Sequence, residues 1–167
     1  MSNTDNSTDN TDTDNSTDNR VIRMRMHLVS CVGKKLTTAA PAKELYVSPW
    51  FKKARQYVEA RGGNWLILSA KYGLVHPDHI IEPYELTLNH MAKPDRRKWA
   101  TRVFNQLLPR LRPNLSLTIL AGSKYREFLE DWLIKSNRVL VPMRGLGIGK
   151  QLKWLTEAVD QSPPPRG

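Results

Sequence analysis

The fold of this chain is best predicted from the stretch Trp65-Leu66-Ile67-Leu68-Ser69-Ala70-Lys71-Tyr72-Gly73. Its first half predicts a buried strand, because apolar residues that can pack on both sides follow one another without polar interruption. Its second half passes through small and basic residues to a glycine, which is typical of a turn that leaves such a strand. Ligands of parallel sheets bind beyond the carboxyl ends of the strands, so the same stretch indicates where a site would lie.

Short apolar runs recur along the chain, and segments with helical spacing separate them. Three further strands are predicted at Met24–Cys31, Leu115–Leu120 and Arg138–Val141. Helices are predicted to begin near Pro49, Pro94 and Ser123, and the run Gly145–Gly149 is predicted to lead into a last helix. This alternation predicts an α/β fold: a single domain with a mostly parallel sheet of about four or more strands and helices on both faces.

Two features of the middle of the chain are less regular. Residues 70–92 have no clean period and contain two prolines and three histidines, so we predict a long connection there. The helix that Pro94 opens is predicted to reach about Leu111. Long connections on a regular scaffold tend to carry function, so we expect site residues in this segment.

The two ends of the chain differ from its body. Residues 1–19 consist of Met, Ser, Asn, Thr and Asp only, with five acidic and no basic side chains. We predict a disordered acidic tail over 1–20, an α/β domain over 21–160 and a second disordered tail over 161–167. The acidic tail is either a solubilising segment or a mimic that competes with a polyanion for the basic body.

Composition excludes several classes of protein and of site. No apolar run approaches the length of about 20 residues that a membrane span needs. The first residues contain no apolar core of a signal peptide, so we expect a cytoplasmic protein. Cys31 is the one cysteine of the chain, which excludes an internal disulfide and a zinc site built on several cysteines. His76 and His79 flank Asp78 with no recognised ligand spacing, so we predict no metal and no cofactor.

The charge of the body indicates the class of partner. The whole chain has 26 basic and 16 acidic side chains and a net charge of +10, and residues 20–167 alone carry a net charge of +15. Such an excess favours polyanions. We predict double-stranded DNA as the partner, with a merely solvated basic surface as the alternative. No cationic amphipathic segment stands apart from the core pattern, so we predict no membrane partner.

Residues just beyond the predicted strand ends are the candidates for binding. Seven are predicted to contact substrate: Ser30, Cys31, Ser69, Lys71, Tyr72, Tyr84 and Ser123. Four are predicted to bind DNA phosphates: Lys34, Lys35, Arg144 and Lys150. Because parallel strands end at one edge of a sheet, we expect Ser30, Lys71, Ser123 and Arg144 to surround one cleft. The glycine-rich run 145–149 before Lys150 is either a tight turn or a phosphate contact.

Two acids in the irregular segment are the candidates for chemistry. Asp78 and Glu85 lie in a run that also contains Tyr84, and a carboxylate in a basic cleft can orient water or stabilise an oxocarbenium ion. Tyr72 and Tyr84 offer flat faces on which a base can stack. The alternative is a surface loop whose acids cap helices or pair with basic residues.

Ordered blocks of this sequence resemble a known family. Leu68-Ser-Ala-Lys-Tyr-Gly-Leu followed by Ile81-Glu-Pro-Tyr resembles the LSxxYGL and IxPY motifs of YaaA-type DNA-binding proteins. The resemblance is closer to a smaller family of bacterial and phage domains, whose blocks appear here at Ser30–Lys35, Ala42–Arg55, Pro77–Leu88, Leu120–Tyr125 and Pro142–Leu155.

The resemblance implies an α/β fold related to base-handling enzymes. It further implies an anti-phage DNA glycosylase that removes a modified base, such as glucosylated hydroxymethylcytosine, from phage DNA after flipping it out of the duplex. Asp78 fits the smaller family, whereas YaaA-type proteins have an apolar residue there. Two alternatives stay open: a non-catalytic DNA-binding stress protein, and an enzyme that acts on free nucleotides.

Overall fold

The computed structural model describes residues 24–62 and 64–161. The predicted tail over 1–20 and all but the first residue of the tail over 161–167 lie outside this part. The strands are β1 (Arg25–Ser30), β2 (Ala40–Pro41), β3 (Asn64–Ser69), β4 (Gly73–Val75), β5 (Ile80–Ile81), β6 (Ser116–Leu120) and β7 (Arg138–Leu140). The helices are α1 (Ala42–Leu45), α2 (Pro49–Ala60), α3 (Lys93–Leu107), α4 (Ser123–Leu133) and α5 (Ile148–Asp160).

One five-stranded sheet forms the centre of the domain, in the order β4-β3-β1-β6-β7. Strand β1 pairs in parallel with both β3 and β6, so Leu28 lies opposite Leu66 on one side and Ile119 on the other. Strand β7 is parallel to β6, and only β4 is antiparallel among these pairings. The predicted mostly parallel sheet is thus confirmed, with β4 added as an antiparallel edge strand. β2 and β5 form a separate antiparallel pair.

The connections place helices on both faces of the sheet, as predicted. The chain moves from β1 to β3 in one direction along the sheet and from β3 to β6 in the other. Since such crossovers are right-handed, α2 and α3 cover opposite faces. Helix α5 packs on α2, and α4 packs on α3. The strand order therefore reverses between β1 and β6, which is where ligands bind in open α/β sheets.

The start of α2 also fixes the loop that follows β1. Ser48 caps the helix, because its Oγ accepts a hydrogen bond of 3.2 Å from the Phe51 amide, and Pro49 occupies the first turn. The same hydroxyl donates to the Val32 carbonyl at 2.8 Å. This single side chain thus holds the helix and the β1 loop together.

Residues 70–92 are more regular than predicted. They contain β4, β5 and a 3-10 turn over Leu88–His90. Gly73 permits the hairpin from β3 to β4, because its φ of +74° lies in the left-handed region and a Cβ there would meet Gln106 Oε1 at 2.5 Å. That oxygen already accepts the Leu74 amide at 2.8 Å. Short strands stabilised by such long-range contacts have no periodic signal.

The helix that was predicted to reach Leu111 ends earlier. Helix α3 ends at Leu107 and a 3-10 turn follows over Leu108–Arg110. Pro109 accounts for the difference, because it has no amide hydrogen to continue the helical ladder. The buried face of α3 consists of Trp99, Ala100, Val103 and Leu107.

No helix in the described part of the chain has both the length and the apolar character that crossing a membrane requires.

Candidate functional site

The carboxyl ends of the three central strands bring buried polar side chains together. Ser30 ends β1 and pairs in register with Leu68 of β3, and the Cys31 amide donates to the Leu68 carbonyl at 2.9 Å. At the reversal of strand order, Cys31 Sγ lies 3.4 Å from the hydroxyl of Tyr125 on α4. These contacts join the ends of β1, β3 and β6 at one edge of the sheet, as the parallel topology predicts.

A buried network of hydroxyl groups occupies this edge. The Tyr84 hydroxyl lies 2.7 Å from the Tyr46 hydroxyl and 2.7 Å from Ser69 Oγ. Ser69 Oγ also accepts the Tyr72 amide at 3.1 Å, and the Ser69 carbonyl accepts the indole N–H of Trp99 at 2.9 Å. All the polar atoms of Ser69 are therefore engaged in positioning neighbours, which assigns it to the support of the site rather than to direct contact with a ligand.

Burial keeps the tyrosines of this edge neutral. It raises the pKa of Tyr46, Tyr84 and Tyr125 well above the usual range, and for Tyr84 and Tyr125 the neighbouring Cys31 adds to the increase. A phenol with such a pKa stays protonated throughout the physiological range. These groups can therefore donate and accept hydrogen bonds but do not act as bases.

A cavity of about 550 Å³ opens beside the hydroxyl network. Residues 33–37 of the loop after β1 form one wall, and Pro83, Tyr84 and Glu85 form the other. The ammonium group of Lys35 lies 4.6 Å from the centre of the Tyr84 ring and 5.7 Å from that of Tyr46. Two lysines and one carboxylate thus share this cavity, with a tyrosine in its wall.

The charged side chains of the cavity have no ion partner in the described residues. Neither Lys34, Lys35 nor Glu85 is paired with an opposite charge within residues 24–62 and 64–161. The Lys35 ammonium makes a long hydrogen bond of 3.5 Å to the Gly33 carbonyl and contacts the two aromatic rings. Uncompensated charges beside a concave surface are available to a ligand.

Several other predicted binding residues lie around this edge, and they differ in how far they are buried. Ser30 is buried, and its Oγ has no hydrogen-bond partner among the described residues. Lys71 is exposed, with its ammonium 5.2 Å from the Tyr72 ring, and that ring meets Tyr84 edge-on at 5.7 Å. Ser123 is exposed at the start of α4.

The ring of Tyr84 has little free surface on which a base could stack as predicted. Its side chain is 9% exposed, Lys35 lies over its ring and Tyr72 contacts the ring from its edge. Tyr72 is half-buried, and its hydroxyl donates to the Glu82 carbonyl at 3.4 Å. Tyr84 therefore forms part of the cavity wall, and Tyr72 beside it has more free surface for a base than Tyr84.

Asp78 lies at the other edge of the sheet, and its predicted place beside Glu85 is corrected. Because β4 runs antiparallel to β3, it carries the chain away from the carboxyl ends before Asp78 is reached. Asp78 faces a different cavity of about 580 Å³ together with Arg25 and Asn64, where strands begin. Its carboxylate lies 2.6 Å from the Lys43 ammonium, which lowers the pKa of the Asp78 carboxyl.

Arg144, predicted to bind phosphate, has an ion partner within the protein. Its guanidinium forms a hydrogen-bonded ion pair with Glu130 on α4, and Arg126 binds the same carboxylate at 2.9 Å. Burial opposes ionisation of Glu130, but the two arginines outweigh it and hold the pKa of the carboxyl below its usual value. Arg144 therefore fixes the loop after β7 to α4.

The glycine-rich run before Lys150 forms a turn that is held from within. The Leu146 amide donates to the Met143 carbonyl at 3.2 Å, and the Gln151 side-chain amide donates to the Leu146 carbonyl at 2.7 Å. Gln151 also accepts the indole N–H of Trp50 at 2.8 Å, which ties α5 to α2. These contacts show that the run is a tight turn. Lys150, which follows it, is exposed on the first turn of α5.

Two residues at the core of this edge were not among the predicted site residues. Tyr46 follows the short helix α1 and Tyr125 lies in the first turns of α4, so each reads in the sequence as an ordinary packing residue. Their hydroxyls meet Tyr84 and Cys31 only through the fold. In the described ranges no group of three or more His, Cys, Asp and Glu side chains is close enough together to hold a metal ion.

Comparison with known proteins places most of the chain in one family. The profile of a family described as "Family of unknown function (DUF6884)" matches residues 26–157. The chain is also similar to "Uncharacterized protein YfjM" of Bacillus subtilis (strain 168), with 26% identity over 151 residues that cover 82% of this chain and 96% of that protein. No solved structure matches significantly.

Proposed function

Because the chain belongs to the DUF6884 family, whose function is unknown, we propose its function from its site: it is a DNA glycosylase that hydrolyses the N-glycosidic bond of a modified nucleotide. The observation that carries the proposal is the cavity at the carboxyl edge, where Glu85 shares one concave surface with Lys34 and Lys35. A base must leave the duplex stack to reach such a cavity, so the proposal includes base flipping.

The lysines and the carboxylate have different parts in this reaction. Lys34 and Lys35 neutralise the phosphates on either side of the flipped nucleotide. Glu85 holds a water molecule against C1′ of the sugar and stabilises the positive charge that develops on the sugar in the transition state. The side chain of Tyr84 closes the cavity behind them.

The proposed hydrolysis balances without a cofactor. The C1′–N bond breaks and its electron pair leaves with the base. The oxygen of water bonds to C1′, and the proton that water loses passes to Glu85 and then to the departing base. The products are a free base and an abasic site in an intact strand.

The neutral tyrosines support this assignment indirectly. The phenol of Tyr84 in the cavity wall does not compete with Glu85 for the role of base, because burial keeps it from ionising, as it does Tyr46 behind it. Their hydrogen bonds to each other and to Ser69 hold the wall in one arrangement. A rigid wall is what discrimination between a modified base and an ordinary one requires.

The exposed position of Glu85 favours a second candidate, a DNA-binding protein without catalysis. A carboxylate in contact with bulk water stabilises a cation less strongly than one in a dry site. In that case the lysines would bind the DNA backbone and the modified base would not be released. An anti-phage role is compatible with both candidates.

The test is a search for released base. The full-length protein is incubated with duplexes that differ only in one modified cytosine, glucosylated hydroxymethylcytosine among them, and free base and abasic sites are measured by mass spectrometry. We expect both products from at least one modified duplex and neither from the unmodified duplex. DNA binding without release from any duplex would support the second candidate and contradict the glycosylase.

The role of Glu85 is tested in the same assay with a matched control. Glu85→Gln keeps the shape of the side chain and removes its charge, whereas Glu82→Gln makes the same change three residues away, outside the cavity. We expect the first change to lower base release and the second to leave it unchanged. Equal rates for both variants would remove Glu85 from the mechanism.

A further inference from the structure

A second cationic cavity lies directly beside the first. Its volume is about 320 Å³, and Lys71, Lys98 and Arg102 contribute its positive charges around the buried Trp99. The two cavities share one segment of chain, because Glu85 faces the first and the next residue, Leu86, faces the second. One bound molecule can therefore contact both.

One positive charge of this second cavity is held by a hydrogen bond, and its two lysines have no carboxylate partner in the described ranges. The Arg102 guanidinium donates to the Lys71 carbonyl at 2.8 Å, which fixes α3 to the loop after β3. Neither Lys71 nor Lys98 pairs with a carboxylate within the described ranges. Lys98 and Arg102 are four residues apart on α3, so they lie on the same face and repel each other. Asp95 is the one acid in the wall.

Aromatic rings connect the two groups of cations. The Lys71 ammonium lies 5.2 Å from the Tyr72 ring, that ring lies 5.7 Å from the Tyr84 ring, and the Tyr84 ring lies 4.6 Å from the Lys35 ammonium. Of these two rings, the half-buried Tyr72 has surface left for a base, and the cations on either side of the pair suit the phosphates of a nucleic acid strand. Leu86 is 46% exposed at the boundary and offers an apolar surface to a base.

We propose that Lys71, Lys98 and Arg102 form a phosphate-binding surface for the DNA strand whose nucleotide enters the cavity at Lys34 and Lys35. This inference rests on the proposed function, since DNA is the ligand that the function names. The strand crosses the protein over Pro83–Leu86 towards α3. It does not continue towards Arg144, whose guanidinium is already paired with Glu130.

The experiment measures binding of an unmodified fluorescent DNA duplex to the full-length protein as a function of salt concentration. The test variant is Lys71→Gln with Lys98→Gln. The control is Lys52→Gln with Lys153→Gln, which removes the same charge from exposed positions on α2 and α5 in the other helical layer. Circular dichroism and a thermal melt establish that both double variants fold as the parent does.

Loss of two phosphate contacts should lower the slope of log affinity against log salt by about 1 to 2 and weaken binding about tenfold or more at low salt. The control should keep the slope of the unchanged protein. Equal slopes for the test variant and the unchanged protein would overturn the inference, and so would equal losses in the test variant and the control.

Failure of this inference is distinct from failure of the proposed function. If the unchanged protein releases base and the test variant keeps its full salt slope, only the position of the DNA strand is wrong. If the unchanged protein does not bind DNA at all, the proposed function and this inference fail together. If it binds DNA through these lysines without releasing base, the inference stands and the glycosylase does not.

Discussion

The two edges of the sheet carry cavities of nearly equal size but of different chemistry. The cavity where strands begin has a volume of about 580 Å³, and the one at the carboxyl edge about 550 Å³. Each contains at least one lysine and one carboxylate. In the first, both carboxylates are paired, Asp78 with Lys43 at 2.6 Å and Glu59 with Arg55 at 2.8 Å. The arginines of that cavity have no ion partner in the described ranges: Arg25, Arg110 and Arg112. In the second, the lysines and Glu85 have no ion partner in the described ranges.

The volume of a cavity therefore does not by itself identify a ligand-binding site. A charge that already has a partner gains little from a ligand, because the ligand must replace an existing interaction. A charge without a partner beside a concave surface offers the ligand its full interaction. Glu85 is the carboxylate of the two cavities that has no ion partner in the described ranges, so we assign function to the carboxyl edge.

The largest expected effect is a difference in the rate of base release between variants of Glu85 and of Asp78. Glu85→Gln should lower the rate of base release by about 10²- to 10⁴-fold, because it removes the charge that stabilises the transition state. Asp78→Asn should leave that rate within about twofold, since its exposed carboxylate contacts Lys43 and His76 at the other edge of the sheet. Single-turnover assays of base release measure both, and a larger loss for Asp78→Asn would reverse our assignment of the edges.

The next effect is a pH dependence of the free energy of unfolding that arises from His27, close to the edge where strands begin. His27 of β1 is 3% exposed, and burial followed by the charges of Arg61 and Arg25 lowers its pKa to about 4. The unfolded chain therefore binds a proton more readily than the folded one between about pH 6.5 and 4. The contribution of neutral His27 to the free energy of unfolding is therefore fully present above about pH 6.5. It is lost as the pH falls to about 4, and its magnitude is about 3 kcal/mol.

Urea unfolding at several pH values measures this change. A His27→Gln variant cannot take up the proton, so the fall in unfolding free energy over this range should be smaller than in the unchanged protein. The carboxylates titrate in both proteins and cancel in the comparison. Parallel pH profiles for the two proteins would contradict the assigned pKa.

A smaller effect tests the hydroxyl network at the carboxyl edge. Tyr84→Phe removes two hydrogen bonds of 2.7 Å and leaves Tyr46 and Ser69 with one partner fewer in a buried environment. We expect a loss of about 1–3 kcal/mol in unfolding free energy. Tyr72→Phe, which removes only a 3.4 Å contact to the Glu82 carbonyl, is the control and should lose less. Equal losses would show that the network adds nothing to stability.

The sequence predicts the scaffold better than the site. Apolar runs such as 65–69 give strands because burial on both faces leaves a direct signal, and Ser48 with Pro49 gives a helix start for a local reason. Positions beyond strand ends could also be predicted, since parallel strands end together. Ser30 and Ser69 are found at that edge for this reason.

What the sequence could not predict depends on long-range contacts. Asp78 and Glu85 are seven residues apart in one irregular run, and only the antiparallel turn into β4 sends the first to the other edge. The pairing of Arg144 with Glu130 joins a loop to a helix and leaves no local pattern. Tyr125 looks like a packing residue until the fold places its hydroxyl beside Cys31.

The most direct test of the assignment is chemical labelling of lysines in the full-length protein with and without an unmodified DNA duplex. Each lysine is compared with itself by mass spectrometry, so differences in intrinsic reactivity cancel. We predict that DNA protects Lys34 and Lys35 at the carboxyl edge and leaves the labelling of Lys43 at the other edge unchanged. Protection of Lys43 with full labelling of Lys34 and Lys35 would contradict the account.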